Sequence, residues 1–355
     1  MIISRTPFRI SFFGGGTDYP AWFREHGGAV LATTIDKYCY LTCRYLPPFF
    51  EHRMRIVYSK IENCRTVDEI THPAVRAILK YLKFDRGLEI HCDNDLPARS
   101  GMGSSSSFTV GLLHALHALL GRMPSKHQLA QEGIHVEQEL LRETVGCQDQ
   151  VLAAHGGLRQ VLFHPDGDIS VQPLTIARSR IEELNQHLML FYTGISRTSS
   201  DVAKTYVTDL HAKRRQMRLM RDLVDEGTAI LAGRSDLIAF GELLHEAWAA
   251  KRSLGAHVSN PQVDSLYQLA RSAGAIGGKL TGAGGGGFLL LFAPPDRHEA
   301  VKQHLGNLVH VPFQFESSGT QIIFYEAGED FAALEAEQAG RSIAAFSELP
   351  VPRAA

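Results

Sequence analysis

Three glycine-rich segments carry the residue types that phosphate chemistry uses: Gly14-Gly15-Gly16-Thr17-Asp18-Tyr19, then Pro97-Ala98-Arg99-Ser100-Gly101-Met102-Gly103-Ser104-Ser105-Ser106-Ser107, and Gly282-Ala283-Gly284-Gly285-Gly286-Gly287. One such cluster alone is more often a turn than a ligand loop. The middle one differs because it opens directly into a patterned helix, so free backbone N–H groups and the positive end of the helix dipole converge on whatever the loop holds. That is an anion site. Gly101 and Gly103 let the backbone approach a phosphate closely, and the serines add hydroxyls for phosphate oxygens or a metal ion. A capped helix start accounts for one serine, not for four in succession.

The last segment satisfies G-x-G-x-x-G, yet it runs into the apolar strand Phe288 to Phe292. A dinucleotide fingerprint needs strand, glycines, then helix, so dinucleotide binding is excluded there. The P-loop form fails too, because the Gly278-Lys279 pair is followed by Leu280 and lacks the upstream glycine.

Phosphoryl transfer needs a cradle for nucleotide phosphates, a carboxylate for magnesium, and a base or cation at the attacking oxygen. Glu137 and Glu139 follow the serine loop on a predicted helix, and magnesium takes such a carboxylate together with phosphate oxygens, water and an occasional hydroxyl. Either glutamate could equally belong to a solvated helix face. Asp149, in Gly146-Cys147-Gln148-Asp149-Gln150, reads as a base or as the cap of a following helix.

The elements that would position these groups segregate along the chain. Strand patterns at Phe8 to Phe13, Ala29 to Thr34, Tyr38 to Tyr45, Met54 to Tyr58 and Leu88 to Cys92 come first. A helix over Ser104 to Leu120 follows, with Phe108, Leu112, Leu113, Leu116 and Leu119 at helical spacing. Ser125 and Gln128 form a capping box for a second helix reaching about Glu143. Gly156-Gly157 opens a strand pair, Pro165 to Asp168 turns the chain, and Ile176 to Glu183 reads as a connection. The boundary is placed there, giving lobes 1–180 and 181–355. The second half starts with a buried strand, Leu188 to Tyr192. Helices are predicted over Ser199 to Leu210, Lys213 to Ala232, Leu237 to Ser253 and from Asn260-Pro261 to Ala273, before strands return at Gly287 to Phe292 and Gln321 to Tyr325. The class is α+β, not doubly wound.

Composition narrows the partners. With 36 Lys and Arg against 38 Asp and Glu, the net charge of −2 leaves no global field for nucleic acid or an anionic membrane. Lys213, Arg214, Arg215, Arg218 and Arg221 line a helix whose other face, Met217, Met220 and Val224, is apolar, so they read as its wet side. Cys39, Cys43, Cys64, Cys92 and Cys147 show neither zinc spacing nor a disulfide framework. The N-terminal stretch is broken by Arg5 and Arg9, and Phe288 to Phe292 is too short to span a bilayer. A cytoplasmic location is expected.

Taken together and in this order, the three segments resemble the GHMP kinases, the superfamily named for galactokinase, homoserine kinase, mevalonate kinase and phosphomevalonate kinase, over a stretch from about Arg5 to Phe292. The resemblance implies a ribosomal protein S5 domain 2-like N-terminal lobe and a ferredoxin-like C-terminal lobe with the active site between them. On that pattern Pro97, Ser100, Gly101, Met102, Gly103, Ser104, Ser105, Ser106 and Ser107 wrap the ATP phosphates. Ser105 joins Glu137 on Mg2+, with Glu139 as the fallback ligand. Asp149 draws the proton from the acceptor hydroxyl, and Arg9, in Pro7-Phe8-Arg9-Ile10, stabilises the emerging alkoxide and the transferred phosphoryl group.

For the acceptor, the resemblance implicates Gly15, Gly16, Thr17 and Asp18, with Gly284 and Gly285 of the third motif. Galactokinases carry Gly-Glu-His-Thr-Asp-Tyr where this chain has Gly14 to Tyr19, so Asp18 matches a sugar-contacting aspartate. Gly15 and Gly16 leave room and N–H groups for a bulkier or anionic substituent. The combined variant resembles the branch that phosphorylates heptose 7-phosphate at the anomeric hydroxyl. Arg197 and the helix start at Thr198-Ser199-Ser200 are the expected site for the distal phosphate. Free-sugar kinases for fucose or galactose, a non-catalytic sugar and ATP sensor, and a decarboxylase of the mevalonate branch are the rival readings. The implied partners are ATP and a small sugar phosphate, with a homodimer as the oligomeric expectation and neither nucleic acid nor membrane.

Overall fold

The computed structural model describes residues 1–195, 207, 210, 212–326 and 331–339. Two sheets divide its strands. The first is built on two long strands, β1 (Ile2–Phe13) and β2 (Gly28–Tyr45), joined through the short helix α1 (Pro20–His26). β3 (Met54–Val57), β4 (Ile61–Cys64) and β5 (Leu88–Asn94) extend it past helix α2 (Pro73–Tyr81). Helices α3 (Ser104–Leu119), α4 (Lys126–Ile134) and α5 (Gln148–His155) follow, then the hairpin β6 (Arg159–Phe163) and β7 (Ile169–Pro173).

Sequence reads β2 as two strands because Asp36 and Lys37 interrupt its apolar pattern. It is one strand with a bulge: the register jumps from Tyr38 opposite Pro7 to Ile35 opposite Phe8, which accommodates the polar pair without ending the ladder. The Asp36 N–H donates to the Gln314 carbonyl at 2.9 Å, and the Gln314 N–H donates back to Asp36 Oδ1 at 2.8 Å.

Helix α3 presses unusually close to β1. A Cβ at Gly111 would lie 2.6 Å from Thr6 Oγ1, so only glycine allows this approach. Ser4 Oγ donates to the Gly111 carbonyl at 2.9 Å, and Ser107 Oγ to the Pro7 carbonyl at 2.9 Å, each contributing about 1 kcal/mol net. The start of α3 is thereby fixed over the middle of β1, where Arg9 sits.

The predicted connection at Ile176 to Glu183 lies largely in a helix, α6 (Arg178–His187). Its charged exterior hides the pattern, but Leu184 is fully buried, and Asn185 Oδ1 accepts the Phe315 N–H at 3.0 Å. β8 (Leu188–Tyr192) then begins the second sheet. Helices α7 (Arg214–Ala232), α8 (Ile238–Arg252) and α9 (Pro261–Ser272) precede β9 (Gly277–Leu280) and β10 (Phe288–Phe292); α10 (His298–His304) and β11 (Val309–His310) complete it. The order β11-β8-β10-β9, all antiparallel, is the ferredoxin-like arrangement of two βαβ halves. The predicted helix at Ser199 to Leu210 lies mainly outside the described residues.

The chain then returns. β12 (Phe315–Glu316) pairs with β2 and β13 (Gln321–Tyr325) pairs with β1, while α11 (Ala332–Ala339) follows. Residues 315–325 therefore belong to the first sheet, although they lie in the expected second lobe, 181–355. Their placement depends on strand pairing across more than 270 residues of sequence. Between the sheets, Phe12 and Phe13 meet the Phe240 ring edge-on at 5.4 and 5.0 Å.

Candidate active site

The serine loop ends at Gly103, which caps α3 with φ 76° and ψ 23°, a left-handed conformation natural to glycine. The first N–H of the turn with an intrahelical partner is that of Ser107, donating to the Gly103 carbonyl at 2.9 Å. The donors before it point out of the helix end, as an anion cradle requires.

Arg9 locks this loop from below. Its backbone N–H donates to the Met102 carbonyl at 3.1 Å and its Nη1 to the Gly101 carbonyl at 2.6 Å. The rest of the guanidinium grips Asp149: Nε to Oδ1 and Nη2 to Oδ2, both at 2.7 Å. Arg9 is 5% exposed in its side chain and Asp149 24%, so the carboxylate keeps a face toward solvent. Each of its oxygens retains a lone pair beyond the one Arg9 occupies. A Cβ at Gly103 would lie 3.1 Å from Arg9 Cγ and 3.5 Å from Asp149 Oδ2. The phosphate loop thus lies directly on the Arg9–Asp149 pair.

Glu137 is fully buried on a single π turn, His135–Leu140, that continues α4. Its Oε2 accepts Ser106 Oγ at 2.8 Å and also Gln150 Nε2, while Oε1 is buried without a partner. Burial, together with the nearby Glu143 and Asp149 charges, pushes its carboxyl up to about 7. An orphaned carboxylate oxygen beside a hydroxyl and a phosphate loop fits a divalent cation. Among the described residues no group of three or more His, Cys, Asp and Glu converges as a metal cage. One carboxylate completed by phosphate oxygens is a magnesium-like donor set.

The serine beside Glu137 is not the expected one. Ser105 points to solvent, and Ser106 holds the carboxylate. Successive residues on a helix are rotated by about 100°, so only one of the two can face α4. Glu139 is exposed, on the other side of its turn from buried Glu137. Ser107 and Ser100 use their hydroxyls on the Pro7 and Pro97 carbonyls, at 2.9 and 2.7 Å. Met102 is a core side chain with 0% exposure, and Pro97 lies exposed at the loop entrance. These four shape the cradle rather than reach into it.

The Gly14–Tyr19 turn approaches from the other side. Thr17 is fully buried and its Oγ1 donates toward the Gly14 and Ala29 carbonyls, at 2.8 Å each, and accepts the Ala29 N–H at 3.0 Å. Its hydroxyl therefore builds the turn and is not available to an acceptor. Asp18 is 1% exposed and accepts the Gly16 and Gln148 N–H groups at 2.9 and 3.3 Å. Burial foremost, and then Asp149, raise its carboxyl above the usual range. Gly16 has φ 111°. Gly15 is half-buried, and a Cβ there would sit 3.5 Å from Ser11 Oγ and 3.6 Å from Gln148 Nε2. Ser11 Oγ and Gln148 Oε1 are buried without partners. Sequence gave no signal for these two, since a lone serine in a strand and a glutamine at a helix start are commonplace.

The third glycine segment buttresses the phosphate loop. A Cβ at Gly282 would lie 2.6 Å from Gly101 Cα, and Gly287 abuts the Ser100 carbonyl. Gly284 and Gly285 depart from expectation. Both are buried; Gly284 packs on the Val258 backbone and the Gly285 N–H donates to the Val258 carbonyl at 2.9 Å. Arg197 and Thr198 to Ser200 lie outside the described residues.

Two lysines that sequence reasoning passed over complete the surroundings. Lys251, on α8, is 5% exposed and Lys279, on β9, is 3% exposed. Lys251 Nζ donates to the Gly282 carbonyl, and Lys279 Nζ to the Phe12 carbonyl at 2.9 Å. Burial foremost, then Arg9, lowers Lys251 to about 8. Burial foremost, then Lys251 and Arg9, hold Lys279 well below its ordinary value.

Comparison with known proteins places the fold. Residues 69–157 match the GHMP kinases N terminal domain and residues 228–310 the GHMP kinases C terminal. The chain is 28% identical over 308 residues to D-glycero-alpha-D-manno-heptose 7-phosphate kinase of Campylobacter jejuni, covering 83% of this chain and 90% of that one. It is 25% identical to a galactokinase of a Roseiflexus species, covering 87% and 88% of the two chains. The structure of a D-glycero-D-manno-heptose 1-phosphate kinase from Bacteroides thetaiotaomicron shares the fold with a TM-score of 0.75 at 24% identity, over 92% of this chain and 100% of that one. With both lobes matched in order and the phosphate loop seated on an arginine–aspartate pair between them, the chain belongs to the GHMP kinase family, phosphotransferases that act on a hydroxyl acceptor.

Proposed function

We propose that this protein is an ATP-dependent sugar kinase that phosphorylates the anomeric hydroxyl of a sugar phosphate, with D-glycero-D-manno-heptose 7-phosphate giving the 1,7-bisphosphate. The observation that carries the proposal is the bidentate Arg9–Asp149 pair beneath Gly101 and Gly103. The N–H groups at the start of α3 hold the nucleotide phosphates. Asp149 accepts the proton of the acceptor hydroxyl. The freed oxygen attacks the γ-phosphorus, the bond from that phosphorus to the β,γ-bridging oxygen breaks, and ADP leaves with the electron pair. Arg9 stabilises the charge that develops on the transferred group. Glu137 and Ser106 would hold magnesium, which would supply neutralisation of the nucleotide's phosphate charge.

The choice of acceptor rests on the Gly15 turn, which lies beside the partnerless buried oxygens of Ser11 and Gln148, and on the named activity of the Campylobacter jejuni relative. Phosphorus NMR of the product formed from heptose 7-phosphate and ATP tests both acceptance and position. A new anomeric phosphate resonance coupled to C1 is expected; an unchanged sugar spectrum, with turnover on free fucose or galactose instead, overturns the assignment.

A further inference from the structure

Lys251 brings a cation to the reaction centre from the opposite lobe. Its ammonium has three donors, one of which engages the Gly282 carbonyl. Among the described residues no carboxylate lies within ion-pair distance of it, and it is 5% exposed. A buried ammonium in that state carries an uncompensated desolvation cost, which an anion arriving beside it offsets. The position is specific. Gly282 packs against Gly101, and the Gly101 carbonyl is held by Arg9. The ammonium is thus linked through two glycine backbones to the phosphate loop and to the catalytic pair.

We propose that Lys251 is a second catalytic cation, touching the transferred phosphoryl group from the face opposite Arg9. This inference rests on the phosphoryl-transfer reading of the site and not on the identity of the sugar. The charged groups around it are Arg9 from β1, Asp18 from the glycine turn, Asp149 from α5 and Lys279 from β9, with Lys213 at the head of α7 donating to the Leu254 carbonyl nearby. Lys279 is itself tied to the Phe12 carbonyl and holds the lobes together. Before nucleotide binds, Lys251 titrates near 8. Only its protonated form can stabilise a phosphoryl transition state, so kcat/KM, which reports the nucleotide-free enzyme, falls as the pH rises past that value.

The test compares Lys251→Met, which keeps length and an apolar body suited to burial, with Lys251→Arg. Isothermal titration measures how much aluminium fluoride tightens the binding of magnesium ADP, a readout that needs no sugar. The expected result is that Met abolishes most of the fluoride-dependent tightening, leaves ADP affinity within about twofold, and lowers kcat by about 100-fold on whichever sugar a panel identifies. Arg restores part of kcat and removes the alkaline limb of kcat/KM near pH 8. Unchanged fluoride tightening in Lys251→Met, or an effect confined to the KM of the sugar phosphate, overturns the proposal in favour of a structural or acceptor-anchoring role. Should the Met variant fail to fold by circular dichroism, an unaltered alkaline limb in Lys251→Arg overturns it equally. Failure of the heptose assignment alone shows as wild-type inactivity on heptose 7-phosphate with the titration result intact.

Discussion

Arg9 and Asp149 are joined by two hydrogen bonds of 2.7 Å across 140 residues of sequence, and the same guanidinium holds the Gly101 carbonyl at 2.6 Å. The pair therefore anchors the serine loop at the place where the proposed mechanism puts its base and its cation. Asp149→Asn keeps the shape but removes the negative charge and the base. Turnover should fall by roughly two orders of magnitude or more, with ATP affinity nearly unchanged. Stopped-assay kinetics and equilibrium nucleotide binding on one preparation check this, and near-normal turnover would remove Asp149 from the mechanism.

Ser105 and Ser106 separate cleanly. Ser106→Ala deletes the hydroxyl on Glu137 Oε2 and should raise the magnesium concentration for half-maximal activity by about 10-fold, the scale of losing a partner of a metal ligand. Ser105→Ala, at an exposed position, should shift it by less than about twofold. A magnesium titration of both variants decides, and the reverse order would return the metal to Ser105.

Glu137 gives a pH prediction. Its carboxyl rises from 4.5 to about 7 on folding, chiefly through burial. The folded state favours the protonated form, so this contribution is full below about pH 4.5 and is lost as the pH rises through about 7. The loss is on the order of 3 kcal/mol. Glu137→Gln escapes it: without magnesium or nucleotide, the variant should melt several degrees above wild type at pH 8 and level with it near pH 4, while turnover collapses. Parallel melting curves across that range would contradict the burial argument.

Gly15 is free of steric compulsion, since a Cβ there makes ordinary contacts at 3.5 and 3.6 Å. Gly15→Ala should leave the melting temperature unchanged or slightly higher, by up to about 1 kcal/mol in stability. The KM for the acceptor should rise several-fold with that for ATP constant. Equal shifts in both constants would place Gly15 outside the acceptor pocket.

Local signals fixed much of this molecule. The Ser125 side chain accepts the Gln128 N–H at 3.1 Å, and Asn260 caps α9 through the Val263 N–H at 3.0 Å, as their spacing predicts. The serine loop opens α3, because helix starts are dictated by residues a few positions apart. What tertiary structure alone decided are relationships across long stretches of chain. Packing of α3 on β1 through Gly111 selected Ser106 over Ser105 by a single 100° step of the helix, and the turn against Ala29 took the Thr17 hydroxyl out of the site. Strand pairing carried residues 315–325 back to the first sheet, and lobe closure brought Lys251 and Lys279, ordinary lysines in the sequence, into a buried setting beside the phosphate loop. Periodicity reports which face of an element is apolar; it holds no information about which partner that face will meet.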